Sequence, residues 1–343
     1  KNEEAVLERL LRTMSTVADQ IVIMDTGSTD RTKEIAARYT DEVYDFPWTD
    51  DFAAARNAVC QKAVSDYWMW MDADDVMEPE QAARLKNLKE TLDPSVDVVM
   101  MKYLTGFDEN GRTSFSYYRE RILKNHKGFR WQGRVHEAVP PAGNILYTDI
   151  EIQHRKEGAG DKDRNLRIYE TMLSQGEPLE PRHQFYYARE LYYHERYEDA
   201  VRVFRAFLQE PDGWVENKID ACLHLALCEE HLGHTEKAVE ALLKSFLYDS
   251  PRGEACCELG RMKMKEEKYR EAAYWYTQAL SSRPAEQTGA FVRKDCYGFL
   301  PSIQLCVCYD RLGDHRRAWH YHLKSQKLKP EHPSVRQNQT YFE

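Results

Sequence analysis

The chain has 343 residues, 42% of them hydrophobic and 12% aromatic, enough for more than one domain with its own core. Its formal net charge of −9 excludes a global basic field, and with it strong nonspecific attraction to nucleic acid or an anionic membrane. The apolar runs are strand-sized, too short to span a bilayer, and "KNEEAVLERLL" has no apolar core of the kind a signal peptide needs.

In chain order, "NEEAVLERLLRTMSTV" has helical apolar spacing, "QIVIMDTGS" is a short apolar run entering a turn, and "TDRTKEIAARY" reads as a capped amphipathic helix beginning near Thr29. "DEVYDFP" reads as a second strand, "FAAARNAVCQKAV" as a helix and "YWMWMDADD" as a third strand. Strand, helix, strand in that order implies parallel pairing through right-handed crossovers, an α/β layered (Rossmann-like) domain over residues 1–160. No strand precedes the first helix, where this architecture wants one; either the chain has lost its beginning or the sheet starts one strand late. From about Lys162 the pattern is helical throughout.

Four segments of this second half, residues 161–343, align on one another. Each carries a small or compact residue in its first helix (Ala188, Ala226, Gly260, Cys306), an alanine twelve positions later (Ala200, Ala238, Ala272, Ala318) and a closing proline (Pro211, Pro251, Pro284, Pro330). A constant offset between small residues suits helical hairpins whose helices cross closely. The register resembles the tetratricopeptide repeat, and stacked units of that kind form an all-α solenoid. The eight cysteines lack any CxxC pairing, which predicts packing residues in a reduced cytoplasm rather than a zinc knuckle or disulfide framework. Cys256/Cys257 and Cys306/Cys308 are the pairs to test for oxidation. Trp275 and Trp319 fit the repeat core better than a homodimer interface, which is the other use for them.

The chemistry gathers at the strand ends, where open α/β sheets bind ligands. Asp25 follows an apolar strand and leads into Gly27 and Ser28, a turn whose free amides suit an anion. In "YWMWMDADDVM" an apolar strand runs into Asp72, Asp74 and Asp75, which repel one another unless something positive sits among them. Alternation puts Asp72 and Asp74 on one side and Asp75 on the other, and paired oxygen ligands suit Mg²⁺ or Mn²⁺. The bland reading is a solvated acidic turn. GxGxxG and GxxxxGK[ST] are both missing, against the common dinucleotide and P-loop readings.

"IVIMDTGSTDRT", "FAAARNAV" and "YWMWMDADD" together resemble glycosyltransferase family two, an inverting family with the GT-A fold. The resemblance implies that Asp25 reads a uracil ring, Arg56 lies near the nucleotide, Asp72 contacts the ribose, and Asp74 holds the metal bridging the diphosphate of a UDP-sugar. "WQGRVHEAV" and "IEIQHRK" extend it: His154 matches a late histidine that completes the metal site in many GT-A enzymes. For the base that activates the acceptor we favour Glu137, with His136 and Asp75 behind it; a salt bridge from Glu137 to Arg134 or Arg121 is its structural alternative. Fused to the repeats, the arrangement looks like bacterial transferases that glycosylate cysteine or serine of peptides, and is also similar to transferases acting on lipopolysaccharide cores or other envelope glycans. Two other classes compete: a repeat scaffold with a decayed transferase domain, and a nucleotidyltransferase, which wants a glycine-rich basic loop near its N-terminus.

Overall fold

Helix α1 (Leu7–Met14) forms where the spacing requires, burying Leu7, Leu10, Leu11 and Met14 along one stripe. The computed structural model describes residues 1–107, 111–157, 161–285 and 288–342, and the chain divides into two units, Lys1–Leu179 and Glu180–Glu343.

In the first unit, β1 (Ile23–Asp25) pairs in parallel with β2 (Val43–Asp45) around α2 (Thr32–Ala36), the expected crossover. After α3 (Phe52–Cys60) come β3 (Tyr67–Met69), β4 (Asp75–Val76), α4 (Pro79–Thr91), β5 (Val98–Phe107), β6 (Thr113–Lys124), β7 (Ile145–His154) and α5 (Arg164–Ser174). Their sheet order is β3-β6-β5-β7-β4. Here the structure corrects the sequence reading: β3 pairs antiparallel with β6 rather than in parallel with β1. β5 and β7 are parallel, β5 and β6 antiparallel, so the sheet is mixed.

Both faces of this sheet are covered, which is why its strands read as nearly continuous apolar runs. Alternate residues feed opposite cores. Val99, Met101 and Tyr103 of β5 join Leu10, Met14 and Leu85 on one side, with Tyr67, Met69 and Met71 packed against them. Val98 and Met100 join Trp68, Trp70, Leu123 and Trp131 on the other. The run "YWMWM" therefore divides by parity between the two cores.

The second unit is a succession of helical hairpins: α6 (Pro181–Tyr193) with α7 (Tyr197–Phe207), α8 (Val215–His231) with α9 (Thr235–Lys244), α10 (Gly253–Lys265) with α11 (Tyr269–Ser281), and α12 (Phe299–Arg311) with α13 (His315–Leu328), then α14 (Pro333–Phe342). It is the all-α tetratricopeptide form expected. The aligned small residues lie at the crossings: Ala188, Ala200, Ala238, Ala272 and Ala318 are completely buried and Ala226 and Cys306 nearly so. At Gly260 a Cβ would stand 2.8 Å from the Tyr276 ring, so the third hairpin closes only on glycine. The eight cysteines are free thiols, and all but Cys60 are buried; burial pushes Cys222 and Cys228 up to about 12. Trp275 packs against the core of the third and fourth hairpins, and Trp319 lies edge-on to Phe342. Among the described residues no helix is long and apolar enough to cross a membrane.

Candidate active site

The Asp25 turn is self-contained. Oδ2 of Asp25 accepts the amides of Gly27 (3.0 Å) and Ser28 (2.8 Å), and Oδ1 accepts the Ser28 hydroxyl at 2.5 Å. Burial works against its charge, yet these bonds outweigh it and hold Asp25 below the ordinary carboxylate value. Gly27, at φ +90°, supplies the left-handed step the turn needs. The amides expected to attract an anion are thus donated to Asp25, and that of Thr29 to Asn2 at 2.8 Å. The helix behind them starts at Thr32, not near Thr29.

Arg56 joins two candidate residues distant in sequence. Asp51 caps α3 by accepting the Ala54 amide (2.8 Å), Ala53 and Ala55 are buried, and the same short helix carries Arg56. Its Nε donates to Glu137 at 2.6 Å and its Nη2 to Asp72 at 2.5 Å. The guanidinium lies 4.9 Å from the centre of Trp70 and 4.6 Å from that of Trp131. The next residue, Asn57, exchanges hydrogen bonds with the Trp131 backbone, donating to its carbonyl (3.0 Å) and accepting its amide (2.9 Å). The two residues of the "RN" pair therefore hold the "WQGRVHE" segment at both ends. That segment is a tight loop closed by reciprocal backbone bonds between Gln132 and Ala138, with Gly133 and His136 at positive φ. The His136 ring stacks against that of Tyr169, their centres 6.4 Å apart. The partner of Glu137 is Arg56; Arg134 pairs with Glu177 and Arg121 with Asp75. Burial resists the charge on Asp72, but Arg56 and then Arg121 overcome it and hold Asp72 at about 2.

The acidic knot itself differs from a continued strand. β3 ends at Met69 and a turn follows, closed by the Asp75 amide donating to the Asp72 carbonyl at 2.9 Å, before β4 resumes at Asp75. Simple alternation from Asp72 to Asp75 therefore fails. β4 pairs with the end of β7, placing Asp75 opposite His154. Asp74 lies 3.3 Å from Nδ1 of His154 and Asp75 3.6 Å. Asp75, completely buried, accepts Nη1 of the equally buried Arg121 (2.9 Å) and the Tyr103 hydroxyl (2.8 Å). Asp75 is thus sealed away from any acceptor, which corrects its place as a reserve base.

Each of the three aspartates has its own cation: Arg56 for Asp72, His154 for Asp74, Arg121 for Asp75. The expected electrostatic conflict is relieved within the protein. Arginine cannot give up its proton, whereas an imidazole can, so the Asp74–His154 pair is where a metal ion can replace the protein's own positive charge. His154 is pushed up to about 10 by Asp74 and then Asp75. Asp74, Asp75 and His154 offer ligand atoms within 4.8 Å of one another, a carboxylate and imidazole set that could hold a metal ion. Sequence reasoning passed over Arg119, Glu120, Tyr103 and Asn57, and offered Arg121 to Glu137 when its partner is Asp75. Three successive charges inside the otherwise apolar strand "SYYRERILK" were the available signal, since buried charge requires a partner.

Residues 1–146 match the model for Glycosyl transferase family 2. Over 219 residues the chain is 25% identical to the SPbeta prophage-derived glycosyltransferase SunS of Bacillus subtilis, covering 58% of this chain and 49% of that protein. It is 30% identical over 139 residues to a TPR repeat-containing protein of Synechococcus elongatus, covering 40% and 33%. A lipopolysaccharide core biosynthesis glycosyltransferase of Rhizobium meliloti, LpsC, is 26% identical over 152 residues, covering 42% and 56%. The chain spans from a third to just over half the length of these relatives.

Proposed function

Residues 1–146 being a glycosyl transferase family 2 domain, we propose that the chain is an inverting, metal-dependent glycosyltransferase that moves a sugar from a UDP-sugar to a peptide or protein side chain held by the repeat unit. The observation that carries this reading is the meeting of Asp74 with His154 beside the Arg56-bridged Asp72 and Glu137. Asp25 and Arg56 are assigned to the nucleotide, with Gly27 and Ser28 shaping the turn, and Asp72 to the ribose. Asp74 and His154 would hold Mn²⁺ or Mg²⁺. When bound, such an ion supplies charge stabilisation to the departing diphosphate.

An inverting transfer is one displacement, so the acceptor proton must leave to a base on the far side of the sugar. Glu137 is our candidate, its carboxylate held on one side by Arg56 and carried on a loop closed at Gln132 and Ala138. His136, on the same loop at φ 51°, is second. The acceptor class rests on the helical hairpins, a form whose surfaces suit peptide segments. A cell-envelope glycan is the second reading, favoured by the similarity to the lipopolysaccharide core enzyme.

The test is Asp74→Ala, assayed for hydrolysis and transfer with a panel of UDP-sugars and Mn²⁺. The variant should lose both activities while keeping its thermal unfolding. Undiminished activity would remove the metal assignment.

A further inference from the structure

Asp75 and Arg121 form the most deeply buried charge pair of the first unit, each with 0% of its side chain exposed. Burying two charges is costly, so the pair needs a reason beyond stability. Its contacts supply one. Oδ2 of Asp75 accepts Nη1 of Arg121 and also, at 3.0 Å, the backbone amide of Asp72. Oδ1 accepts the Tyr103 hydroxyl, which lies 3.0 Å from Nδ1 of His154. Both oxygens of Asp75 are therefore engaged in holding other groups.

Arg121 is fixed as firmly. Its guanidinium carbon sits 3.7 Å from the centre of the Trp70 ring and 4.2 Å from that of Tyr103, and Nη1 also reaches the Trp70 carbonyl at 3.1 Å. Its Nε and Nη2 have no hydrogen-bond partner among the described residues, so the planar group is placed by the two rings and by Asp75. Trp70 precedes the turn, and Asp75 closes it.

We propose that Arg121 and Asp75 are a positioning pair for the Asp72–Asp75 turn, and that Asp74 and His154 hold the cation without Asp75 as a ligand. This rests on the metal-dependent reading above. Asp75 aims the Asp72 backbone and, through Tyr103, the His154 ring; Arg121 locks Asp75 against the strand that carries the turn.

The experiment is Mn²⁺ binding to the full chain, followed by the electron paramagnetic resonance of free Mn²⁺ with and without UDP, beside thermal unfolding. Arg121→Met is the first variant, because Asp75→Asn would strand a buried arginine that cannot give up its proton. It should weaken Mn²⁺ binding by about 10–100-fold, the range that groups orienting a ligand command. Asp74→Asn should weaken it further while leaving the unfolding temperature unchanged or raised. The double variant Arg121→Met/Asp75→Leu removes both charges and keeps the core apolar, and should bind Mn²⁺ about as well as Arg121→Met.

Unchanged Mn²⁺ affinity in folded Arg121→Met would overturn the positioning role. A double variant that folds yet loses Mn²⁺ as fully as Asp74→Asn would make Asp75 a ligand and overturn the assignment. If Arg121→Met does not fold, the double variant decides the matter by the same comparison. Wild-type chain that binds no Mn²⁺, with or without UDP, would overturn the metal-dependent reading itself along with the pair.

Discussion

Replacing Arg56 by methionine keeps an apolar stem near Trp70 and Trp131 and deletes the charge that Asp72 and Glu137 share at 2.5 and 2.6 Å. In the folded chain Asp72 titrates at about 2, against an ordinary value of 3.8. That difference corresponds to about 2 kcal/mol of stability at neutral pH. With 31% of the Asp72 side chain in water, the contribution falls to about 1–2 kcal/mol. Because the folded value is depressed, this stability is present in full above about pH 4 and is lost as pH falls through about 2. In Arg56→Met, Asp72 and Glu137 lose the cation that bridges them. The deficit should therefore be full above about pH 4 and shrink as pH falls from about 4 towards 2, where Asp72 of the wild type takes up its proton too. Urea unfolding of wild type and variant at several pH values between about 7 and 2 reads this directly. A deficit of the same size at every pH would refute the electrostatic argument and leave only lost packing over the tryptophans.

Other expectations concern the repeat unit. Gly260→Leu drives a side chain into the Tyr276 ring, itself only 2% exposed and unable to swing aside, so thermal unfolding should report a loss of about 1–3 kcal/mol; an unchanged melt would mean the crossing is not tight. Acidification should weaken this unit between about pH 4 and 2: burial opposes the charge on Asp220, but His224 and Arg189 hold it at about 2, and Arg261 and Lys265 do the same for Glu230. Both values are depressed, so the stability they bring is complete at neutral pH and disappears on the acid side. Asp220→Asn should flatten the helical circular dichroism signal's dependence on pH across that window; an unaltered acid transition would contradict its share.

What the sequence carried was local. The helical stripe of α1, the apolar strand in "YWMWM", the parallel β1–β2 pair and the twelve-residue offset of the hairpins each follow from neighbours in the chain, and each is in the structure. Pairing of β3 with β6 spans more than fifty residues and left no local mark, so chain order suggested the wrong neighbour. The roles within the acidic knot were hidden for the same reason. Its partners come from α3, β6 and β7, and the turn after Met69 breaks the alternation on which the sides of Asp72, Asp74 and Asp75 were judged. Asp75, read from sequence as a reserve base, is the most completely buried of the three.

Calorimetric titration of the full chain with UDP, in the presence and absence of Mn²⁺, is the most direct trial of metal-dependent donor binding. UDP should bind with Mn²⁺, bind far more weakly after chelation, and lose the metal-dependent part in Asp74→Ala. Binding of UDP that is indifferent to Mn²⁺, or no binding at all, would contradict a metal-dependent transferase and favour a repeat scaffold whose N-terminal domain no longer works.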